Sequence, residues 1–384
     1  MKACVVGLLL SFGAVGVSPG QMSPAGTGGV AALATTLRQL GSNKRVLMIG
    51  AHPDDEDTQL LVLLSRGLGA QAAYLSLTRG EGGQNLIGPE LGPELGVVRT
   101  EELLSARELD GARQFFTRAY DFGYSKTVDE TFRFWPRDSI LKDVLDVIRR
   151  FRPQIIIAVF SGTPADGHGH HQVSAILARQ AFDLLRDSVG GPQKFYRSTR
   201  GDPSATTLTL PVGILDPIIG QSYFQIAMAS RSRHRSQDMG QLQRAGPATS
   251  GVALLATKTP SGAGSNGGET SMFTGVDTTI HVSGYAALID SARAALNPWR
   301  PSAALPYLLR ASRLLGSASP DSVQRGLLDR AIAMADGVTI DGTADDGIVV
   351  PSERLQVEVA VWNAGDSAVR VDSIAVAAPS GWGI

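Results

Sequence analysis

Apolar positions along the chain alternate between two rhythms. Arg45-Val-Leu-Met-Ile-Gly-Ala51 is a short continuous apolar run, which predicts a buried strand. A helical pattern follows from about Asp54 to Arg66, with Leu60, Leu61, Leu63 and Leu64 apolar. Ala70 to Thr78 predicts a second strand and Val98 to Thr117 a long helix. Ser139 to Phe151 places Ile140, Val144, Val147, Ile148 and Phe151 at helical spacing, and Pro153 closes it. Gln154 to Phe160 is the clearest buried strand, and residues 171 to 187 predict the next helix. Ala31 to Leu40 predicts a short helix ahead of this series. Strands alternating with helices predict an α/β fold, a Rossmann-like, mostly parallel sheet with helices on both faces.

Past residue 200 the pattern is sparser. Leu208 to Leu215 predicts a strand. Tyr223 to Arg235 reads chiefly as a solvated face or loop and secondarily as part of a substrate pocket. Thr278 to Val282 predicts a strand that holds His281 in a structural role. Ser302 to Met334 predicts two helices with a break near Ser317 to Pro320. From Pro351, Leu355, Val357, Val359 and Val361 alternate with polar or small residues, and Val369 to Val376 begins another strand after a turn. This predicts the start of a β-sandwich. Two strands cannot bury a core alone, so a fragment of a longer protein or an incomplete third domain is expected.

The first 20 residues predict an export signal: Lys2, an apolar run from Val5 to Val17, then Ser18-Pro19-Gly20. The run is shorter than the roughly 20 residues of a membrane span. The expected location is secreted or periplasmic, with no stable membrane span. The expected division is residues 1–20 signal, 21–43 linker and short helix, 44–295 α/β domain, 296–346 helical segment and 347–384 start of a β-sandwich.

Composition narrows the chemistry. The 384 residues are 43% hydrophobic and 18% charged, enough to fill a core, and a net charge of -1 argues against nucleic acid as a partner. Cys4 is the only cysteine and falls in the signal, so a mature chain has no disulfide or thiolate chemistry. Any metal must use histidine and carboxylate. No Gly-x-Ser-x-Gly elbow appears, and neither Gly82-Gly83 nor the Ser261 to Gly268 loop has the strand-then-helix setting of a phosphate loop.

In an open parallel sheet, sites lie beyond the carboxyl ends of the strands. His52 and Asp55 follow the first strand at i and i+3, and the His168, His170, His171 cluster follows the Gln154 to Phe160 strand. Four of the six histidines lie in these two loops. His52, Asp55 and one histidine of the second loop supply the three protein ligands of a catalytic zinc site. Asp54, beside the ligands, is the candidate general base. The bland alternative is that Asp54, Asp55, Glu56 and Asp57 only complement a helix N-terminus.

Ala51-His-Pro-Asp-Asp-Glu56 after a short strand resembles the opening signature of the PIG-L/LmbE-like deacetylases. Thr78-Arg-Gly-Glu81-Gly resembles that family's second-strand loop, Arg99-Thr-Glu-Glu102 its helical R-x-x-E, and His168-Gly-His-His171 stands where the family has H-x-D-H. The resemblance covers roughly residues 44 to 235. It implies His52, Asp55 and His171 as metal ligands and Asp54 as general base. It implies His168, protonated, as the group that stabilises the oxyanion or assists the leaving amine. Arg99 matches an arginine that helps hold substrate. Glu81 is grouped with it on the substrate side, and Glu102 is a supporting carboxylate. The chain departs from the pattern at His170, where the family has an Asp that tunes the neighbouring histidine. Asp166 could take over that role. His170 itself is open to three readings: a solvated loop residue, a group behind the ligands, or the third ligand in place of His171.

The expected function is removal of an N-acetyl group from an N-acetylated sugar or glycoconjugate, with one divalent metal ion, zinc favoured by His₂Asp ligation. The alternatives are an amidase acting on a larger acyl or thiol conjugate, and a non-catalytic metal-containing glycan-binding surface protein.

Overall fold

The computed structural model describes residues 28–200, 202–258, 269–316, 322–347 and 349–383. The expected export signal, the first part of the linker, the Ser261 to Gly268 loop and the Ser317 to Pro320 break lie outside the described residues.

Five strands run parallel: β1 (Arg45–Gly50), β2 (Gln71–Ser76), β3 (Arg113–Phe116), β4 (Ile155–Ala158) and β5 (Lys194–Ser198). β6 (Leu208–Pro211) is followed by a short pair, β7 (Leu215–Asp216) and β8 (Gln221–Ser222), and then by β9 (Thr249–Thr257). β9 pairs antiparallel with both β5 and β6, giving a seven-stranded sheet in the order β3-β2-β1-β4-β5-β9-β6. The chain winds outward from β1 in one direction and from β4 in the other. The β1/β4 boundary is therefore the switch point of a doubly wound sheet, where a crevice opens beyond the strand ends.

Alternation along the central strands builds two cores. Val46, Met48, Ile155 and Ile157 face Leu60 and Leu64, Leu103 of helix α3 and Ile226 and Met228 of α7. Leu47, Ile49, Ile156 and Ala158 face Ile140, Val144 and Ile148 of α5 and Leu177 and Phe182 of α6. Each of the Val, Leu, Ile, Met and Phe side chains among them contributes about 1.5–3 kcal/mol on burial. The helices are α1 (Gly29–Gln39), α2 (Thr58–Val62), α3 (Pro93–Asp110), α4 (Val128–Phe134), α5 (Arg137–Phe151), α6 (Gly169–Leu185), α7 (Tyr223–Arg231), α8 (Tyr285–Ala295), α9 (Leu305–Leu315) and α10 (Ser322–Asp336). A third core joins α1 to α8, α9 and α10 through Leu33, Leu37, Tyr285, Ile289, Leu308 and Leu328. The helical unit thus includes α1 and α8, which the expected divisions at 43 and 295 separate from it. No helix among the described residues is long and apolar enough to cross a membrane.

Several elements differ from their sequence patterns. The helix expected from Asp54 starts only at Thr58, capped by Asp57, whose Oδ1 accepts from Leu60 N at 3.1 Å. Residues 51–57 are left as a shaped loop. The long helix expected to Thr117 stops at Gly111, which turns left-handed at φ 76°, and the chain re-enters the sheet as β3. β3 and β5, with Arg113 and Gln114 in the one and Lys194, Arg197 and Ser198 in the other, show no continuous apolar run. Residues 278–282 form no strand, and His281 is exposed and pairs with Asp277 at 3.2 Å. Residues 369–376 form no strand either. The partner of β11 (Val357–Asn363) is instead β10 (Val338–Ala344), an antiparallel ribbon, and a second sandwich layer is not present among the described residues.

Candidate metal centre

The loop after β1 is held from below. Tyr74 of β2 donates to the His52 carbonyl at 2.6 Å and Thr78 Oγ1 to the Ala51 carbonyl at 3.0 Å. Gly50 admits this approach, since a Cβ there would lie 2.5 Å from the Tyr74 hydroxyl oxygen. The four acids of the loop then diverge. Asp57 caps α2 and accepts from Ser198 and Ser250. Glu56, fully buried, meets Arg107 Nη2 and His234 Nε2, each at 3.0 Å. These partners, against its burial, hold its carboxyl far below the ordinary range. Capping accounts for Asp57 alone.

Asp55 faces the second histidine loop. Its Oδ2 accepts from the backbone N–H groups of Ala51 (3.0 Å) and His52 (2.7 Å) and lies 3.3 Å from His52 Nδ1. Its Oδ1 lies 3.4 Å from His171 Nε2. Despite burial, His171 and His52 hold the Asp55 carboxyl well below its ordinary value. His171 is oriented by Phe160, stacked on it at 3.9 Å, and its Nδ1 lies 3.4 Å from the Asp166 carbonyl. His52, Asp55 and His171 have donor atoms within 4.8 Å of one another. The two imidazole nitrogens lie 3.3 and 3.4 Å from Oδ2 and Oδ1 of the same carboxylate, so all three side chains converge on one point. Two imidazoles and one carboxylate so spaced fit a divalent ion of the zinc type.

Asp54 has a backbone φ of 94°, in the left-handed half where non-glycine residues are strained. The segment is clamped there. Arg99 Nη2 donates to the Pro53 carbonyl (2.6 Å) and to Asp54 Oδ2 (3.2 Å), Arg231 Nη1 donates to the Asp54 carbonyl (2.9 Å), and Asp54 N donates to Glu56 Oε2 (3.0 Å). Burial pushes the Asp54 carboxyl above its ordinary value; Arg99 opposes the rise and Asp55 adds to it. Arg99, expected at the substrate, is itself buried and also donates to the Gly80 carbonyl at 2.9 Å.

His168 is the N-cap of α6. Its Nδ1 accepts from His170 N at 3.2 Å and lies 3.3 Å from Ser125 Oγ. Burial, with His52 and His171 nearby, lowers its pKa to about 4. With Nδ1 accepting, an uncharged ring carries its proton on Nε2.

The remaining expected residues are supports. Glu81 Oε2 accepts from the backbone N–H groups of Arg79 and Asp121, both at 3.2 Å. Glu102 accepts from Ser236 N and Oγ at 2.7 and 2.6 Å and so anchors the segment that carries His234. The Asp166 carboxylate accepts from the backbone of Ser161, Gly162 and Thr163, and the replacement role toward His168 is not what it performs. His170 is fully buried, which excludes the solvated-loop reading. Its Nδ1 lies 3.0 Å from His52 Nε2. The 230–236 run is also not a solvated face: Ser230, His234 and Ser236 are fully buried, and Arg231 grips the Asp54 and Glu56 carbonyls. Asp121 was not foreseen. Its Oδ2 lies 3.7 Å from His52 Nε2 and its Oδ1 3.7 Å from His170 Nδ1. It sits on the loop after β3, which sequence patterning had merged into a helix.

A doubly wound sheet whose switch-point loops bring histidines and carboxylates together beside a strained acid defines an α/β protein with a candidate metal site. Residues 47–182 match the family model of PIG-L, GlcNAc-PI de-N-acetylase. A 1D-myo-inositol 2-acetamido-2-deoxy-alpha-D-glucopyranoside deacetylase of Geodermatophilus obscurus is 30% identical over 168 residues, covering 39% of this chain and 56% of the relative. The diacetylchitobiose deacetylase of Thermococcus kodakarensis is 31% identical over 157 residues, covering 40% of this chain and 53% of the relative. The chain thus spans about half the length of these relatives. Among solved structures, the N,N'-diacetylchitobiose deacetylase from Pyrococcus horikoshii superposes with a TM-score of 0.38 at 17% identity, over 50% of this chain and 70% of its own. That superposition is too loose to place any residue.

Proposed function

We propose that the chain is a metal-dependent hydrolase that removes the acetyl group from an N-acetylated sugar or glycoconjugate, with zinc as the ion. The observation that carries this reading is Asp54. Its carboxyl is buried, raised above its ordinary value and held in a strained backbone beside a His₂Asp donor set. A non-catalytic glycan binder has no use for such a base. The match to the PIG-L model and the acetamido-sugar activities named for the two relatives support the substrate class.

A divalent ion held by His52, Asp55 and His171 would supply Lewis acidity toward the amide carbonyl and the attacking water. Asp54 removes a proton from that water and returns it to the departing amine as the C–N bond breaks and acetate leaves, and burial makes its carboxylate more basic. His168 donates its Nε2–H to the carbonyl oxygen as negative charge develops there. Arg99 acts through Asp54, by orienting the carboxylate and holding the 53–54 backbone. The export expected from the first 20 residues puts the reaction outside the cytoplasm in this reading.

The test is acetate release from N-acetylglucosamine, diacetylchitobiose and an N-acetylglucosaminyl inositol, with and without chelator. Release that stops on chelation and returns with zinc is expected. No release from any of them by zinc-loaded protein, or undiminished release after chelation, overturns the proposal. One observation favours the larger-acyl reading: exposed Tyr124 lies 4.9 Å from the His168 ring, and exposed Phe134 packs on Phe122. This aromatic wall suits a longer acyl chain, so rates that rise with acyl length would favour that reading over deacetylation.

A further inference from the structure

His170 is fully buried and built in tightly. Its ring stacks on Trp135 at 4.4 Å with a 25° tilt and meets Phe122 edge-on at 4.5 Å. Its Nε2 is buried without a hydrogen-bond partner. Its Nδ1 lies 3.0 Å from His52 Nε2, with Asp121 3.7 Å from both nitrogens. The other nitrogen of His52, Nδ1, faces Asp55 at 3.3 Å. A neutral imidazole carries one proton, and a nitrogen that ligates a cation cannot carry it. With Nδ1 turned to the Asp55–His171 side, the His52 proton belongs on Nε2. His170 Nδ1 is the acceptor at hydrogen-bond distance, and His170 then keeps its own proton on Nε2 in the aromatic pocket.

We propose that His170 is a positioning residue for the metal centre: it accepts the Nε2–H of His52, with the Asp121 carboxylate behind the pair, and so presents His52 Nδ1 to the ion. This rests on the reading that His52, Asp55 and His171 hold the ion. The outer partner of a ligating histidine fixes its tautomer and ring angle, and its loss costs about 10–100-fold in metal affinity. In this chain that partner is a neutral ring on α6 supported by an acid from the β3 loop.

The test uses the full chain and zinc, with affinity read by competition against a chromophoric chelator. His170→Leu, which keeps bulk but removes the acceptor, is expected to weaken zinc binding by roughly 10–100-fold. His170→Asn puts an amide oxygen near the Nδ1 position and is expected to stay close to wild type. Asp121→Asn, which keeps shape, is expected to shift affinity in the same direction as His170→Leu but less. Histidine ¹⁵N spectra of the zinc-loaded wild type are expected to show His52 protonated on Nε2. Unchanged affinity in His170→Leu, an Asn variant as weak as the Leu variant, or zinc on His52 Nε2 overturns the proposal. If Asp55→Ala binds zinc as tightly as wild type, the ligand set itself is wrong and the functional reading falls with it. That outcome is separable from a failure at His170 alone.

Discussion

Arg99 donates to the Asp54 carboxylate at 3.2 Å while the same nitrogen holds the preceding Pro53 carbonyl at 2.6 Å. One guanidinium thus fixes both the side chain and the strained backbone of the candidate base. Gly80, at φ 76°, leaves room for it, since a Cβ there would fall 2.3 Å from Arg99 Nη1. Arg99→Leu is expected to lower kcat by roughly a hundredfold, because a misplaced reacting group of about 1 Å costs that much. Arg99→Lys should not recover it, since a single ammonium cannot reach the Gly80 carbonyl while also holding the Pro53 carbonyl and Asp54. Steady-state rates beside zinc content by elemental analysis check this; a parallel loss of zinc would assign Arg99 to the ligand scaffold instead.

Asp54→Asn tests the base directly. It keeps the size of the side chain and leaves His52, Asp55 and His171 intact. The expected loss in kcat is about 10²- to 10⁴-fold with bound zinc retained. Wild-type rates of acetate release from the loaded variant would remove Asp54 from the mechanism.

Removal of the ion should cost stability as well as activity. A ligand that binds only the folded state adds about 4 kcal/mol at a thousandfold excess over its Kd. Zinc added to chelated wild type is expected to raise Tm, and His171→Ala to abolish most of that rise. Calorimetric scans of both proteins with and without zinc provide the measurement.

Glu56 is expected to govern acid stability. Its folded-state carboxyl is held below the ordinary value of 4.5 by His234 and Arg107, which outweigh its burial. A group depressed in the folded state contributes stability above its unfolded pKa, and that contribution is lost as pH falls through the folded value. Glu56→Gln should therefore cost about 3–5 kcal/mol at pH 7, the price of breaking a buried ion pair. The gap to wild type should narrow on acidification. Urea midpoints at pH 7, 5 and 3 check both the size and the direction.

The sequence was most informative where chemistry and period coincide. β1 and β4 are visible as apolar runs because both faces of a central parallel strand are buried. His52, Asp55 and the 168–171 loop follow those two runs, so the sheet-edge rule alone brought them together. Charged and polar residues interrupt β3 and β5, so neither shows an apolar run, and their loops are hidden with them. Asp121 was lost that way. The Ser230–Ser236 run differs from its pattern for another reason: its polar residues pack against Glu56 and Glu102 rather than water.

What the sequence by itself determined is the set of groups and their order: a donor pair and an acid after one strand, and a histidine cluster after another. What only the tertiary structure decided is the division of labour among them. Four adjacent acids in residues 54–57 are equivalent as text. They part because Arg99 clamps Asp54, His171 and His52 face Asp55, Arg107 and His234 pair with Glu56, and the α2 N-terminus takes Asp57, each from a different side. The same holds for His168, His170 and His171, whose rings meet Ser125, Trp135 and Phe160 respectively. A carboxylate or an imidazole acquires its role from the charges, dipoles and aromatic faces packed around it. Those neighbours arrive from distant segments only when the sheet is assembled.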